Sequence, residues 1–231
     1  MKKKNPASGS SLKPVDVVTV HSRAYGEHTR SARGSIQPAR LNDVLKRKSK
    51  ELGVLTSFAR EVHNLLRAHA GFFKEAMFWQ HMLSRLHTVT DIAPVTMLKS
   101  LEGLELNSRN ALKRFGDVPF VQVTAKDNVI AVCLEEEVPP YFKKPVTAYC
   151  YDVIILFFDN TGKAKGSEEA RSRWMNNNEV SGDLYFTLPK PAGSVFYLLC
   201  LRLHTGNNGV PTNGITSQGM MVVCSGEVDE R

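Results

Sequence analysis

Seven histidines and four cysteines are the side chains of this 231-residue chain best suited to metal binding or nucleophilic attack, and their spacing argues against both. His63 and His69, like His81 and His87, stand six residues apart in segments of helical period. That is a turn and two-thirds, so the members of a pair leave different faces, and neither pair reproduces the four-residue spacing of HExxH. His21, His28 and His204 have no such neighbour. Cys133, Cys150, Cys200 and Cys224 form no CxxC and no Cys/His pair at ligand spacing, and read as reduced, half-buried strand residues. No GxSxG elbow, GxxxxGK[ST] phosphate cradle or GxGxxG turn occurs. No catalytic, cofactor-binding or metal-binding residue is therefore assigned, and the chain is expected not to be an enzyme. The acidic run Glu135, Glu136, Glu137 before "VPPYF" reads as a solvated strand end, whose charge discourages other strands from adding on.

Charge is the remaining signal. Residues 1 to 50 carry twelve Lys or Arg against three acids, a balance of +9, whereas the other 181 residues carry eighteen bases and twenty acids. A one-ended concentration of like charge raises the local potential and suits phosphates, anionic lipid or an acidic protein surface. The candidate contact residues for a polyanion or a protein partner are Arg23, Arg30, Arg33, Arg40, Lys46, Arg47, Lys48 and Lys50. Tyr25 is the one aromatic residue of the arm. A nucleic acid would therefore be met at its phosphates and not by stacking of its bases.

These residues need elements to position them. Residues 1–38 read as an extended basic arm in which "VDVVTV" (15–20) is a short strand that must pair with the carboxy-terminal sheet or a neighbouring chain. "RAYGEHTRSARGSIQPAR" (23–40) reads as irregular. Residues 39–117 form a helical segment: Leu41, Val44, Leu45 and Leu52, then Leu55, Phe58, Val62, Leu65 and Leu66, then Met77, Phe78, Met82, Leu83 and Leu86, recur at spacings of three and four. Phe72, Phe73, Phe78 and Trp79 fall on that stripe and read as core. The pattern predicts one long helix or two, ending before Pro94, then a connector over 91–117 with a short helix around "NSRNALKRF" closed by Gly116.

Residues 118–231 change to β-rich runs: "PFVQVT", "NVIAVCLE", "PVTAYCYDVIILFFD", "GDLYFTLP", "SVFYLLCLRLH" and "SQGMMVVCSG". "FFDNTGK" has the Asp, Asn and Gly of a tight hairpin. Trp174 in "SRWMNNNEV" reads as a contact site if exposed or, as the preferred reading, a buried ring that closes an edge of the sandwich. Short strands without helical crossovers predict an antiparallel β-sandwich of immunoglobulin or fibronectin type, and the whole an α+β protein.

The basic arm leading into "PARLNDVLKRKSKELGVLTSFAREVHNLLR", followed by "GDLYFTLPKPAGSVFYLLCLRLHTGNNGVPTNGITSQGMMVV", resembles an uncharacterised domain-of-unknown-function family of Bacteroidetes proteins. The resemblance spans roughly residues 20 to 225 and implies an immunoglobulin-like end but no activity, so no functional residue carries over. The expected function is structural: a protein that docks through its arm and amphipathic helices into a larger complex or particle. The expected partner is a protein or a second copy of the chain, and the alternative is a nucleic acid bound by residues 1–50. "MKKKNPASGSSLKP" lacks the apolar core of a secretory signal, and no run is long enough to span a bilayer, so a cytoplasmic or virion location is expected.

Overall fold

Two apolar runs dictate the architecture. The eleven residues Ala148–Phe158 and the twelve residues Phe196–Asn207 are strands β5 and β9, and all but Asn207 are buried. A strand buried at every position has both faces covered. In the computed structural model, which describes residues 17–22, 26–31, 42–69, 77–126, 128–142, 146–180, 182–212 and 217–228, helices cover one face and a second sheet the other.

The strands are β1 Val17–Ser22, β2 Gly26–Ser31, β3 Phe120–Lys126, β4 Val129–Glu136, β5, β6 Ala164–Arg171, β7 Met175–Asn176, β8 Gly182–Pro189, β9, β10 Val210–Pro211 and β11 Gln218–Glu227. The helices are α1 Asp43–His69, α2 Phe78–Leu86 and α3 Pro94–Ser100. β9 and β5 pair antiparallel at the centre of one sheet, with β6 and β7 beside β5 and β10 and β11 beside β9. A second antiparallel sheet runs β3-β4-β8, and β6 approaches β8 where the sheets meet. The result is a mixed α+β fold whose antiparallel strands curl into a half-barrel.

Alternation sorts the core. The even members of β5 and β9 (Ile154, Leu156, Phe158, Phe196, Leu198, Cys200) pack against Leu55, Phe58, Ala59, Val62 and Leu66 of α1 and against α2 and α3. The odd members (Tyr149, Tyr151, Val153, Leu199, Leu201, Leu203) pack against Ile130, Val132 and Leu134 of β4 and Phe186 and Leu188 of β8.

The chain divides into two compact units, Met1–Lys46 and Arg47–Arg231. In the first, β1 pairs with β2 from Val17↔Ser31 to Ser22↔Gly26. The expected strand thus finds its partner in β2, in a stretch read as irregular, because an antiparallel hairpin needs only a short reversal, here entering β2 at Gly26 with φ +65°. In the second unit the connector holds a helix the spacing did not predict. Pro94 begins α3 instead of only ending what precedes it, since its fixed φ and missing N–H suit the first helical turn. "NSRNALKRF" forms two 3-10 turns, Ser108–Asn110 and Leu112–Phe115, before Gly116 at φ +121°.

The "FFDNTGK" hairpin is present between β5 and β6. Asp159 Oδ1 accepts from Thr161 N (2.9 Å), Thr161 Oγ1 (2.6 Å) and Lys163 N (3.0 Å), and Gly162 takes φ +80°. The Thr161 hydroxyl and the backbone N–H groups hold the Asp159 carboxyl below its ordinary pKa. Trp174 is half-buried over the β9–β10 turn: a Cβ on Gly206 would lie 2.7 Å from its ring, so the close approach requires glycine. Cys150 and Cys200 are buried, Cys133 and Cys224 half-buried, and all four are free thiols. Among the described residues, no helix is long and apolar enough to cross a membrane.

Candidate functional site

Of the candidate basic residues, Arg23, Arg33 and Arg40 lie outside the described residues, and Arg30 is placed in β2 by its backbone. The other four lie on the first turns of α1. Asn42 caps the helix, its Oδ1 accepting from Leu45 N at 2.8 Å. Lys46 pairs with Asp43 at 3.1 Å and Arg47 with Glu51 at 3.7 Å, both in solvent, where such pairs contribute little. Lys48 and Lys50 are exposed and make no salt bridge within the described residues. Val44 and Leu45 are also exposed, as are Leu52 and Val54 further along, whereas Leu55, Phe58, Ala59, Val62 and Leu66 of the same helix are buried.

A second group of charged residues lies where the pattern shows only apolar strand. Asp152 sits on the helix-facing side of β5, directly opposite Arg171 of β6 and Arg202 of β9. Arg171 grips it in bidentate fashion, Nε to Oδ1 at 2.6 Å and Nη2 to Oδ2 at 3.0 Å. Arg202 donates to Oδ2 from Nε (2.8 Å) and Nη2 (2.5 Å), and to Glu169 Oε1 at 2.5 Å. His204 Nε2 lies 2.5 Å from Asp152 Oδ2, which assigns the proton to Nε2, so the 3.4 Å approach of Arg171 Nη2 to that nitrogen is packing.

The network reaches the end of α1. Arg202 Nη1 donates to the His69 carbonyl at 2.5 Å, placing a cation at the helix carboxy terminus. The His69 ring spans Glu169 Oε2 (Nδ1, 2.8 Å) and Ser167 Oγ (Nε2, 2.8 Å). Burial pushes the Asp152 carboxyl up, but hydrogen bonds from His204 and Arg171 and the charge of Arg202 outweigh it and hold the group well below the usual carboxylate range.

Cys150 stands opposite His204, so a thiol, an imidazole and a carboxylate share one face. They do not form a nucleophilic site. Burial and the neighbouring Asp152 push the Cys150 thiol up to about 12, so the nucleophilic thiolate is absent at neutral pH. Among the described residues every buried side-chain nitrogen and oxygen already has a partner. The cluster is a closed staple of β5, β6, β9 and α1, with Arg171 its half-exposed edge.

The acidic run is not uniformly solvated. Glu137 is exposed and Glu135 half-buried, but Glu136 is turned inward by the alternation of β4 and is buried. It accepts from Tyr149 Oη at 2.6 Å and Tyr151 Oη at 2.8 Å, both on the opposing face of β5. Burial first, then the negative Glu136, push the Tyr151 phenol well above its ordinary pKa. Outside this contact a cleft of ≈ 230 Å³ opens between Asp117, Pro119, Phe120, Glu135, Glu137 and Val138.

His63 packs against the Phe78 and Trp79 rings, with centroids 5.9 and 5.4 Å away, whereas His81 and His87 are exposed. Phe78 is buried on the helix stripe as expected and Trp79 is half-buried, while Phe72 and Phe73 lie outside the described residues. Among the described residues, no three His, Cys, Asp or Glu side chains are gathered as a metal site. The signal that could have found the staple is parity: Asp152, Arg202 and His204 are charged or titratable residues at even positions of two otherwise apolar runs. Comparison of the chain with family models, curated proteins and solved structures finds no match, so the Bacteroidetes likeness rests on its quoted pattern alone.

Proposed function

We propose that the chain is a non-enzymatic structural or assembly protein that joins a larger complex or particle through its basic arm and α1. The observation that carries this reading is the exposed apolar set on α1. Leu45 and Leu52 are each 48% exposed and flank Lys46, Lys48 and Lys50. Short stretches of helix are marginal in water, and one with unburied leucines gains from a partner's apolar face. The occupant of this face is the same face of a second copy, an isologous contact that closes as a dimer. In this reading the face-packed sheets serve as an immunoglobulin- or fibronectin-like scaffold that carries the docking elements.

Light scattering on the full chain is the test. We expect a dimer or larger species, and a lower mass for Leu45→Glu combined with Leu52→Glu, with circular dichroism verifying that the variant stays folded. A monomer at tens of micromolar rejects the reading. Lys48 and Lys50, exposed and in no salt bridge among the described residues, favour a second reading, nucleic-acid association. It requires a high 260 to 280 nm absorbance ratio in the eluting peak, lost at high salt.

A further inference from the structure

The β3-β4-β8 sheet packs one face on β5 and β9 and turns the other to solvent. Register arranges that outer face in rows. Phe120, Glu135 and Asp183 lie side by side across the three strands, and Gln122, Cys133 and Tyr185 form the next row. Phe120 is 64% exposed and Tyr185 76%, a large aromatic surface for an unpartnered sheet face. Val138 and Tyr141, on the segment that follows β4, are also exposed.

The two carboxylates make the face more than apolar. Glu135 and Asp183 are directly opposed across β4 and β8, and like charges so placed are destabilising. Their described partners are neutral, the Gln122 amide on Glu135 and the Tyr185 hydroxyl on Asp183 at 3.2 Å, and the described residues place no salt bridge on either. Asp117 and Glu137 extend the acidic rim along the adjoining cleft. Rings beside unneutralised carboxylates favour a cation, which is held by the ring face and the carboxylate together.

Size and charge choose the occupant. Three strands of about seven residues cover roughly 300 Å², from the usual rise and strand spacing. A stable dimer contact needs about 800 Å² from each partner, so a face-to-face pairing of two such sheets falls short. Bases stack on exposed rings, but phosphates would meet Glu135 and Asp183. A short segment rich in Lys and Arg fits the charge. The chain carries one ahead of α1: residues 1 to 41, with eight Lys or Arg against two acids and the β1-β2 hairpin within them.

We infer that the outer face of β3-β4-β8 is the acceptor for the basic amino-terminal arm of a second copy. The inference rests on the assembly reading and supplies its second contact. An arm-to-sheet contact is heterologous, so it propagates into rings or chains, whereas the α1 contact alone closes as a dimer.

The test weighs the full chain by light scattering, alone and with a hundredfold excess of a synthetic peptide of residues 1–41. It also weighs two full-chain variants, Glu135→Lys with Asp183→Lys, and Phe120→Ser with Tyr185→Ser. The wild-type chain is expected to exceed a dimer. The peptide, either variant and high salt should each reduce it to a dimer or less. The second variant leaves the charges in place, so it decides the matter if charge reversal impairs folding as judged by circular dichroism. An oligomer larger than a dimer that is indifferent to the peptide and to both variants overturns this inference and leaves the assembly reading standing. A wild-type species no larger than a dimer also overturns it, and a wild-type monomer overturns both.

Discussion

Two carboxylates are buried against opposite faces of the same strand, and they are held by different chemistry. Asp152 lies on the helix side of β5 among two guanidinium groups and an imidazole, whereas Glu136 meets the other side through two phenols. A buried charge needs hydrogen bonds, and the partner decides what else follows. With cations, the carboxyl is held ionised far into acid. With phenols, the negative charge instead makes the partner harder to ionise, and Tyr151 shows this. One strand thus carries one electrostatic device relevant to low pH and another relevant to high pH.

The sharpest way to break the contrast is Asp152→Ala. It leaves Arg202 buried without its main counter-charge, and breaking a buried pair from one side costs about 3–5 kcal/mol. Denaturant unfolding of the variant measures this. Acid unfolding gives the sign check. The folded-state pKa of Asp152 is depressed, so its contribution is present above the ordinary carboxylate value of about 3.9 and is lost as pH falls towards the folded value. Asp152→Asn should therefore have a flatter stability profile below about pH 4 than the wild type, again from denaturant titrations. An equally steep acid limb would mean that other carboxylates govern it.

Glu136→Ala is expected to cost less, about 1–3 kcal/mol, because the groups that lose it are neutral hydroxyls and the Tyr149 hydroxyl keeps the Glu179 carbonyl at 3.1 Å. Tyr151→Phe removes one hydroxyl, at about 1 kcal/mol near neutral pH. At high pH this cost shrinks. The raised phenol contributes stability that is present below the ordinary tyrosine pKa of about 10 and lost as pH rises past it, because the unfolded chain ionises first. Stability of Tyr151→Phe should fall less between about pH 9 and 11 than that of the wild type, as read from thermal melts.

What was legible in the chain follows from how each residue announces itself. The stripe of α1 and the apolar runs of β5 and β9 show their periods openly, so the α+β class and the hairpin at Asp159 could be read directly. Strand β6, "AKGSEEAR", could not, because its inward side chains include the polar members of the Asp152 staple and no apolar alternation remains. Glu136 was hidden by its neighbours: three consecutive glutamates mask the alternation that turns one of them inward. Asp152, Arg202 and His204 were visible as residues, but their meeting depends on the pairing of strands fifty positions apart. The acceptor face of β3-β4-β8 likewise exists only once β4 lies between β3 and β8.

The smallest expected effect isolates burial as the variable. Arg47 and Glu51 are the same kinds of group as Arg202 and Asp152, at 3.7 Å, but on α1 Arg47 is largely exposed and Glu51 half-exposed. Water screens the pair, and holding two long side chains together opposes what attraction remains, so the coupling should be about 0.3–0.5 kcal/mol. A double-mutant cycle of Arg47→Ala and Glu51→Ala, measured by denaturant unfolding at low and high salt, checks it. Alanine also favours helix at both positions, so the single variants should differ little from the wild type. A coupling as large as that of the staple would show that α1 is covered in solution. That would place Arg47 inside an interface and move the docking contact from the helix's apolar residues to its charged ones.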